Sequence, residues 1–332
     1  REVRHGIPIR VNTTGLCFQG SHIEETENIS KDGAEAIYIA NNDPVKIATL
    51  ILPADTAWGK ASNIVSAEKP MPRKKVNKDN IVKTAKILTN GKNSTLVLGG
   101  KALNEKCTEL AGKIAAKTGC GIITEAANSR LSRGEGRVQM LRIPGAGVVD
   151  KAIKMLDKAG QLVLVGSKPP VAFFGYPNKP SLLYKKGTPI YTLVETEEDI
   201  YSALVDLVYE LNATNFKSAY IAEYNRPQLP KGTITKENLA KVIGALLEEN
   251  TIVVDESVTT GRDFFPFTAG APKHDWLNNR GGSIGYGMPV AIGASVAAPD
   301  RKVLLLEGDG SGMYTVQSLW TMARENLNII IL

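Results

Sequence analysis

The sequence predicts an α/β protein of parallel sheets flanked by helices, and three observations carry that reading. Strand-like apolar runs alternate with helix-like stretches along nearly all of the 332 residues, the order that layers helices on parallel strands. Runs such as Leu96-Val97-Leu98 and Leu162-Val163-Leu164-Val165 are apolar at every position, as expected when helices cover both faces of a sheet. Strands also end in turns of Gly, Ser and Thr, and the carboxyl ends of parallel strands are where open α/β sheets hold ligands.

Three blocks follow one another. Residues 1–60 contain a helix-like stretch at 32–41 and a strand at 47–53, while 15–27 gives no firm reading. Residues 61–78 carry Pro70, Pro72 and the basic knot Arg73-Lys74-Lys75, the composition of a solvated linker. The central block, within 61–223, reads as helix 81–88, strand 95–99, helix 104–117 and strand 121–125. An Arg- and Gly-rich loop at 130–137 follows, then helix 151–158, strands 161–166 and 189–194, and helix 200–211. Pro227 and Pro230 mark a second linker opening the third block, 224–332. That block reads as helix 236–248, strand 251–254, helix 288–297, strand 302–306, a Gly-rich turn, helix 314–325 and strand 328–332. The sequence stops inside a buried strand and starts without an initiator Met, so residues are expected beyond both ends.

Composition narrows the function classes. Hydrophobic residues make up 43% and charged residues 22%, ordinary for a globular chain. No apolar run has membrane-spanning length, and Arg1-Glu2-Val3-Arg4-His5 has no signal-peptide core. Cys17, Cys107 and Cys120 lack CxxC spacing and a paired His, which argues against a zinc site or disulfide framework and fits the cytoplasm. The net charge of +6 is spread along the chain without aromatic interleaving, so no nucleic-acid partner is expected.

The chemistry concentrates in the third block. Leu304-Leu305-Leu306-Glu307-Gly308-Asp309-Gly310-Ser311 is a strand running into a Gly-rich turn before a helix, a phosphate cradle whose backbone amides approach an anion. A carboxylate in that cradle would repel a bare pyrophosphate, by ~4 kcal/mol per charge pair 4 Å apart at an effective dielectric near 20. Asp309 makes sense when a hard cation sits between, sharing oxygens from both. Taken alone, Gly-Asp-Gly is equally a tight turn with a capping carboxylate. Two further segments point the same way: Val254-Asp255-Glu256-Ser257-Val258-Thr259-Thr260-Gly261 ends a strand, and Gly281-Gly282-Ser283-Ile284-Gly285-Tyr286-Gly287 opens a helix.

Together these segments resemble the cofactor-anchoring domain of thiamine-diphosphate-dependent enzymes, in particular acetolactate synthase large-subunit-like proteins and benzoylformate decarboxylase. The run from Gly308 to Asn326, Glu256-Ser257 with Thr259-Thr260, and Gly282-Ser283-Ile284-Gly285 carry the resemblance densely. Residues 166–178 carry it more loosely, and 47–58 carry it into the first block. The resemblance implies a thiamine-diphosphate-binding fold: a diphosphate- and Mg²⁺-binding domain at 224–332, a central domain within 61–223, and at 1–60 the remnant of a pyrimidine-binding domain. It implies that Asp309 is the metal-binding aspartate. Gly308, Gly310, Ser311 and Tyr314 would line the diphosphate, with Ser257 and Thr259 approaching from the neighbouring strand. Gly282 would offer its carbonyl to the aminopyrimidine, with Ser283 in the same turn. Ile284 would hold the cofactor in its bent shape, a role compatible with core packing.

The family's metal motif closes with an Asn that would fall beyond Leu332. Its catalytic glutamate belongs to the pyrimidine-binding domain, and Glu24 and Glu25 lie in the unreadable stretch. The fragment alone is therefore expected to be inactive. Residues 166–178 resemble the flavin-free decarboxylases, so FAD is not expected. His274 stands near the motifs as either an acid/base in the cleft or a surface His beside Asp275. The implied activity is decarboxylation of a 2-oxo acid with carboligation, acetolactate-synthase-like on pyruvate, in a homodimer or homotetramer. A non-ligating, benzoylformate-decarboxylase-like enzyme and a non-catalytic homologue remain as alternatives. A Rossmann oxidoreductase is disfavoured, because no acidic ribose-binding residue follows a first-strand glycine fingerprint.

Overall fold

A computed structural model describes residues 18–22, 26–42, 47–61, 63–126, 128–145 and 147–332. Cys17, Glu24 and Glu25 lie outside the described residues. The chain divides into two compact units, one of Arg1–Lys75 with Glu197–Asp199 and one of Val76–Thr196 with Ile200–Leu332.

In the first unit, β1 (Phe18–His22) pairs in parallel with β2 (Ile47–Ile51), Phe18 opposite Ile47. The helix Ile29–Asn41 lies between them in sequence and packs on β2, as a parallel pair requires a crossover.

The second unit contains two five-stranded sheets. One is formed by β3 (Ser94–Leu98), β4 (Gly121–Thr124), β6 (Leu141–Arg142), β7 (Gln161–Val165) and β8 (Ile190–Val194), with β5 (Arg130–Arg133) leaving it for the other sheet. Its spatial order is β6-β4-β3-β7-β8, all parallel. Alternate residues of β3 serve opposite cores. Leu96 and Leu98 pack with Ile81, Ile114 and Leu204 from three helices, whereas Val97 packs with Ala152 and Leu156 from a fourth. That two-sided burial accounts for the unbroken apolar runs.

The other sheet runs β12-β11-β9-β10-β5, from β9 (Ile252–Glu256), β10 (His274–Asn278), β11 (Val303–Glu307) and β12 (Ile329–Ile331). All neighbours are parallel except β5, which runs antiparallel to β10. A cut at 223/224 thus separates the two sheets apart from β5. Neither β5 nor β10 is visible as a strand in the sequence, and each is rich in polar residues. Asp275 accepts from Arg130 (3.1 Å) and Ser132 (2.9 Å) across the pair, and from Arg301 (2.9 Å) outside it. Burial and these cationic and hydroxyl partners act in opposite senses on Asp275, and its carboxyl ends up below the usual range. Arg133, fully buried, lies 3.5 Å from the Phe265 ring centre and bonds Thr268 Oγ1 at 3.0 Å.

The helix expected at 314–325 begins later. A single turn, Asp309–Gly312, follows β11 directly, and the helix proper is Ser318–Arg324. Between them, Tyr314 N–H and Thr315 N–H donate three residues back, to Ser311 O and Gly312 O, so this stretch is tight turn rather than α-helix.

Candidate functional site

The carboxyl ends of β9, β10 and β11 lie side by side, because Asp255 is level with Asn278 and with Leu306 in the ladder. The turn after β11 therefore sits beside the turn after β9. In it Asp309 and Gly310 are exposed and Ser311 is buried. A β carbon on Gly310 would meet nothing within 4 Å. Among the described residues, no hydrogen bond or ion pair occupies the Asp309 carboxylate. The N–H groups of Asp309, Gly310 and Ser311 likewise take no backbone acceptor there.

The turn at 281–287 is fastened to both neighbours. Glu256, 3% exposed at the end of β9, accepts Gly285 N–H at 2.7 Å through Oε1 and Gly287 N–H at 2.6 Å through Oε2. From the other side, Thr315 Oγ1 donates to Gly285 O at 2.9 Å. Gly285 has φ +91, and a β carbon there would lie 2.6 Å from Tyr314 Cβ, so only glycine fits both the backbone and the contact. Gly282 has φ +72, and its β carbon would lie 3.0 Å from Phe173 Cζ. Ile284 is 49% exposed. Under the turn, burial and the Glu256 charge push the Glu307 carboxyl up to about 7, and its Oε2 is buried without a hydrogen-bond partner.

Residues 260–332 match the family described as thiamine pyrophosphate enzyme, C-terminal TPP binding domain. Over these residues the chain carries a C-terminal TPP binding domain. Over 311 residues it is 41% identical to a Mycobacterium tuberculosis protein named "Putative acetolactate synthase large subunit IlvX", covering 92% of this chain and 59% of that protein. It thus spans less than two thirds of that relative's length. A 50-residue segment, 15% of the chain and 9% of the relative, is 56% identical to an alpha-keto-acid decarboxylase of the same species. Its fold matches a thiamine diphosphate-dependent 4-hydroxybenzoylformate decarboxylase from Rhodococcus jostii (TM-score 0.72, 22% identity, 96% of this chain and 63% of that one). It also matches benzoylformate decarboxylase from Polynucleobacter necessarius (TM-score 0.72, 16% identity, 97% and 63%). The chain is an α/β member of this fold with parallel sheets flanked by helices.

Set against a thiamine pyrophosphate domain, the expected residues sort into three groups. Gly308, Asp309, Gly310, Ser311 and Tyr314 share one turn; Gly282, Ser283 and Ile284 share the next, held to the first through Gly285; Thr259 is exposed after β9. An exposed carboxylate between glycines, with unengaged amides beside it, fits a cation-bridged diphosphate. No cluster of three or more His, Cys, Asp or Glu that could hold a metal by itself occurs among the described residues. Any cation here would thus depend on the anion for part of its coordination.

Ser257 is buried, and its hydroxyl donates to Asp255 Oδ1 at 2.5 Å, which shapes the turn after β9. His274 is a clear correction. It opens β10 at the end of the sheet away from the three turns, ~13 Å along the strand from Asn278 at 3.3 Å per residue. It is 0% exposed, with Nδ1 2.7 Å from Pro272 O. Burial, then the charge of Arg133, lowers its pKa to about 3, so it is neutral and is neither an acid/base in the cleft nor a surface residue. Glu256 and Phe173 are the site residues that the sequence reading gave no role. Glu256 stands beside Ser257 in the quoted motif, but its carboxylate acts on a turn 29 residues away in sequence.

Cys107 and Cys120 are buried, and no described helix is long and apolar enough to cross a membrane. A cavity of about 710 Å³, lined by Gln139, Tyr224 and Phe267 among others, shares no residue with the three turns.

Proposed function

We propose that this chain serves a thiamine-diphosphate- and Mg²⁺-dependent decarboxylation of a 2-oxo acid, with ligation of the resulting acyl unit to a second carbonyl. The observation that carries this reading is the exposed Asp309 carboxylate set among glycines at the carboxyl end of β11, with the 281–287 turn fastened alongside. Asp309 would give an oxygen to the cation. Gly308, Gly310 and Ser311 would let the chain approach the diphosphate closely, and Tyr314 and Thr259 would border it. The Gly282 carbonyl would accept from the aminopyrimidine, and Ile284 would support the bend. When bound, the cofactor supplies the electron sink for the carbanion left by CO₂ loss, and the protein supplies orientation and a low-dielectric surround.

The relative named "Putative acetolactate synthase large subunit IlvX" matches over 92% of this chain, which favours ligation; the reading places the reaction in a homo-oligomer in the cytoplasm and leaves the side chain of the donor open. The decarboxylase match spans 15% of the chain and supports only the shared cofactor chemistry. The test is calorimetric titration with thiamine diphosphate, with and without Mg²⁺. Binding should require the metal, and Asp309→Ala should weaken it at least about tenfold with an unchanged circular dichroism spectrum. Binding indifferent to Mg²⁺, or to the substitution, would rule the reading out.

A further inference from the structure

The loop after β7 presents two phenyl rings to the 281–287 turn. Phe173 faces Gly282 so closely that a β carbon on that glycine would sit 3.0 Å from Cζ and 3.2 Å from Cε1. Phe174 stands edge-to-face on Phe173, with centroids 4.6 Å apart and planes at 87°. Tyr176 continues the cluster at 6.0 Å. The loop is pinned on both sides of the rings: Val171 bridges Leu182, Ala172 N–H donates to Ser181 O at 2.7 Å, and the Tyr176 hydroxyl accepts Gly147 N–H at 2.7 Å. Ala172 and Tyr176 pack into the core beside Leu183. Yet the rings these anchors hold up stay open, Phe173 at 37% and Phe174 at 59% exposed, and Ile284 at 49%.

A loop pinned on both sides that keeps two phenyl groups partly in water forgoes burial that the fold could use. Pre-organised apolar surface beside a site that must orient a small molecule is the usual way of recognising an apolar group. Gly282 and Ile284 are the residues assigned above to the reactive bend of the cofactor, so the corner formed by Phe173 and Phe174 borders the space next to it. We propose that Phe173 and Phe174 are specificity-determining residues forming an apolar wall for the side chain of the 2-oxo acid. The preferred donor then carries a branched or aromatic group rather than the methyl of pyruvate. The proposal rests on the cofactor reading of the preceding section and refines its donor.

The test uses acylphosphonates, 2-oxo acid analogues in which phosphonate replaces the carboxylate, titrated calorimetrically into the protein loaded with thiamine diphosphate and Mg²⁺. Benzoyl- and 2-methylpropanoylphosphonate should bind at least about tenfold more tightly than acetylphosphonate, the range that one or two apolar groups command in a fitted pocket. Phe173→Ala and Phe174→Ala should each remove most of that preference, and Phe173→Leu should keep part of it. Thiamine diphosphate should bind all three variants within about twofold of the parent. Three results would overturn the proposal. One is equal or tighter binding of acetylphosphonate. Another is variants that lose cofactor affinity while keeping the preference, which would make the rings part of the cofactor site. The third is variants that change the oligomeric mass with the preference intact, which would make them an interface between copies. Failure of the parent to bind thiamine diphosphate at all would instead remove the underlying reading, and this proposal with it.

Discussion

Asp309 and His274 show how far single residues can be read. The place of Asp309, in a turn at the end of a strand, was legible because strand, glycine and carboxylate fall in one run, and a strand end fixes where the next residue goes. His274 was misread because proximity in sequence to Gly281 says nothing about which end of a strand it occupies. Once β10 is seen, His274 lies at the amino end and Asn278 at the carboxyl end. Its burial has a testable consequence. With a folded pKa of about 3 against 6.5 when unfolded, the unfolded chain takes up the proton first. This contribution to stability is therefore intact above pH 6.5 and is lost progressively as pH falls towards 3. Between pH 6.5 and 5 it amounts to about 2 kcal/mol. His274→Asn keeps a donor for Pro272 O and removes the titration. Urea unfolding of that variant should show a shallower loss of stability over this interval, and an unchanged slope would refute the assignment.

Elements were readable where their apolar pattern is uniform. The strands β3, β7, β9 and β11 follow from unbroken aliphatic runs, because the sheet is covered on both faces. β5 and β10 did not follow, since their polar residues are matched by partners distant in sequence: Arg130 and Arg301 on Asp275, and Arg133 on Phe265. No local pattern reveals a partner 145 residues away. The 281–287 turn is intermediate. Its glycines announce a turn, but its fixed position depends on Glu256, whose two oxygens each accept one buried N–H. Glu256→Gln leaves one oxygen acceptor and one new donor, so one amide goes unsatisfied, at a cost of about 1–3 kcal/mol. Hydrogen exchange at Gly285 or Gly287 should accelerate roughly 10- to 100-fold, at 1.4 kcal/mol per tenfold. Unchanged exchange at both amides would show that Glu256 does not hold the turn.

In the second unit, β5 of the central block joins the other sheet, and the 281–287 turn of that sheet meets the aromatic loop of the first through Phe173 and Gly282. Sequence pattern alone supplied the alternation of strands and helices. The resemblance supplied the cofactor, and only the fold brings Phe173 to Gly282, because that contact joins residues more than a hundred positions apart. The chain spans 59% of the mycobacterial relative it matches, so the activity of the whole protein is tested best at the one group on which everything converges. That test is a crystal structure with thiamine diphosphate and Mn²⁺, read by anomalous scattering. The account predicts one metal peak at roughly 2.1–2.2 Å from an Asp309 carboxylate oxygen, a hard-cation bond length, shared with diphosphate oxygens. A diphosphate bound elsewhere, or a metal peak remote from Asp309 with its carboxylate facing solvent, would contradict it.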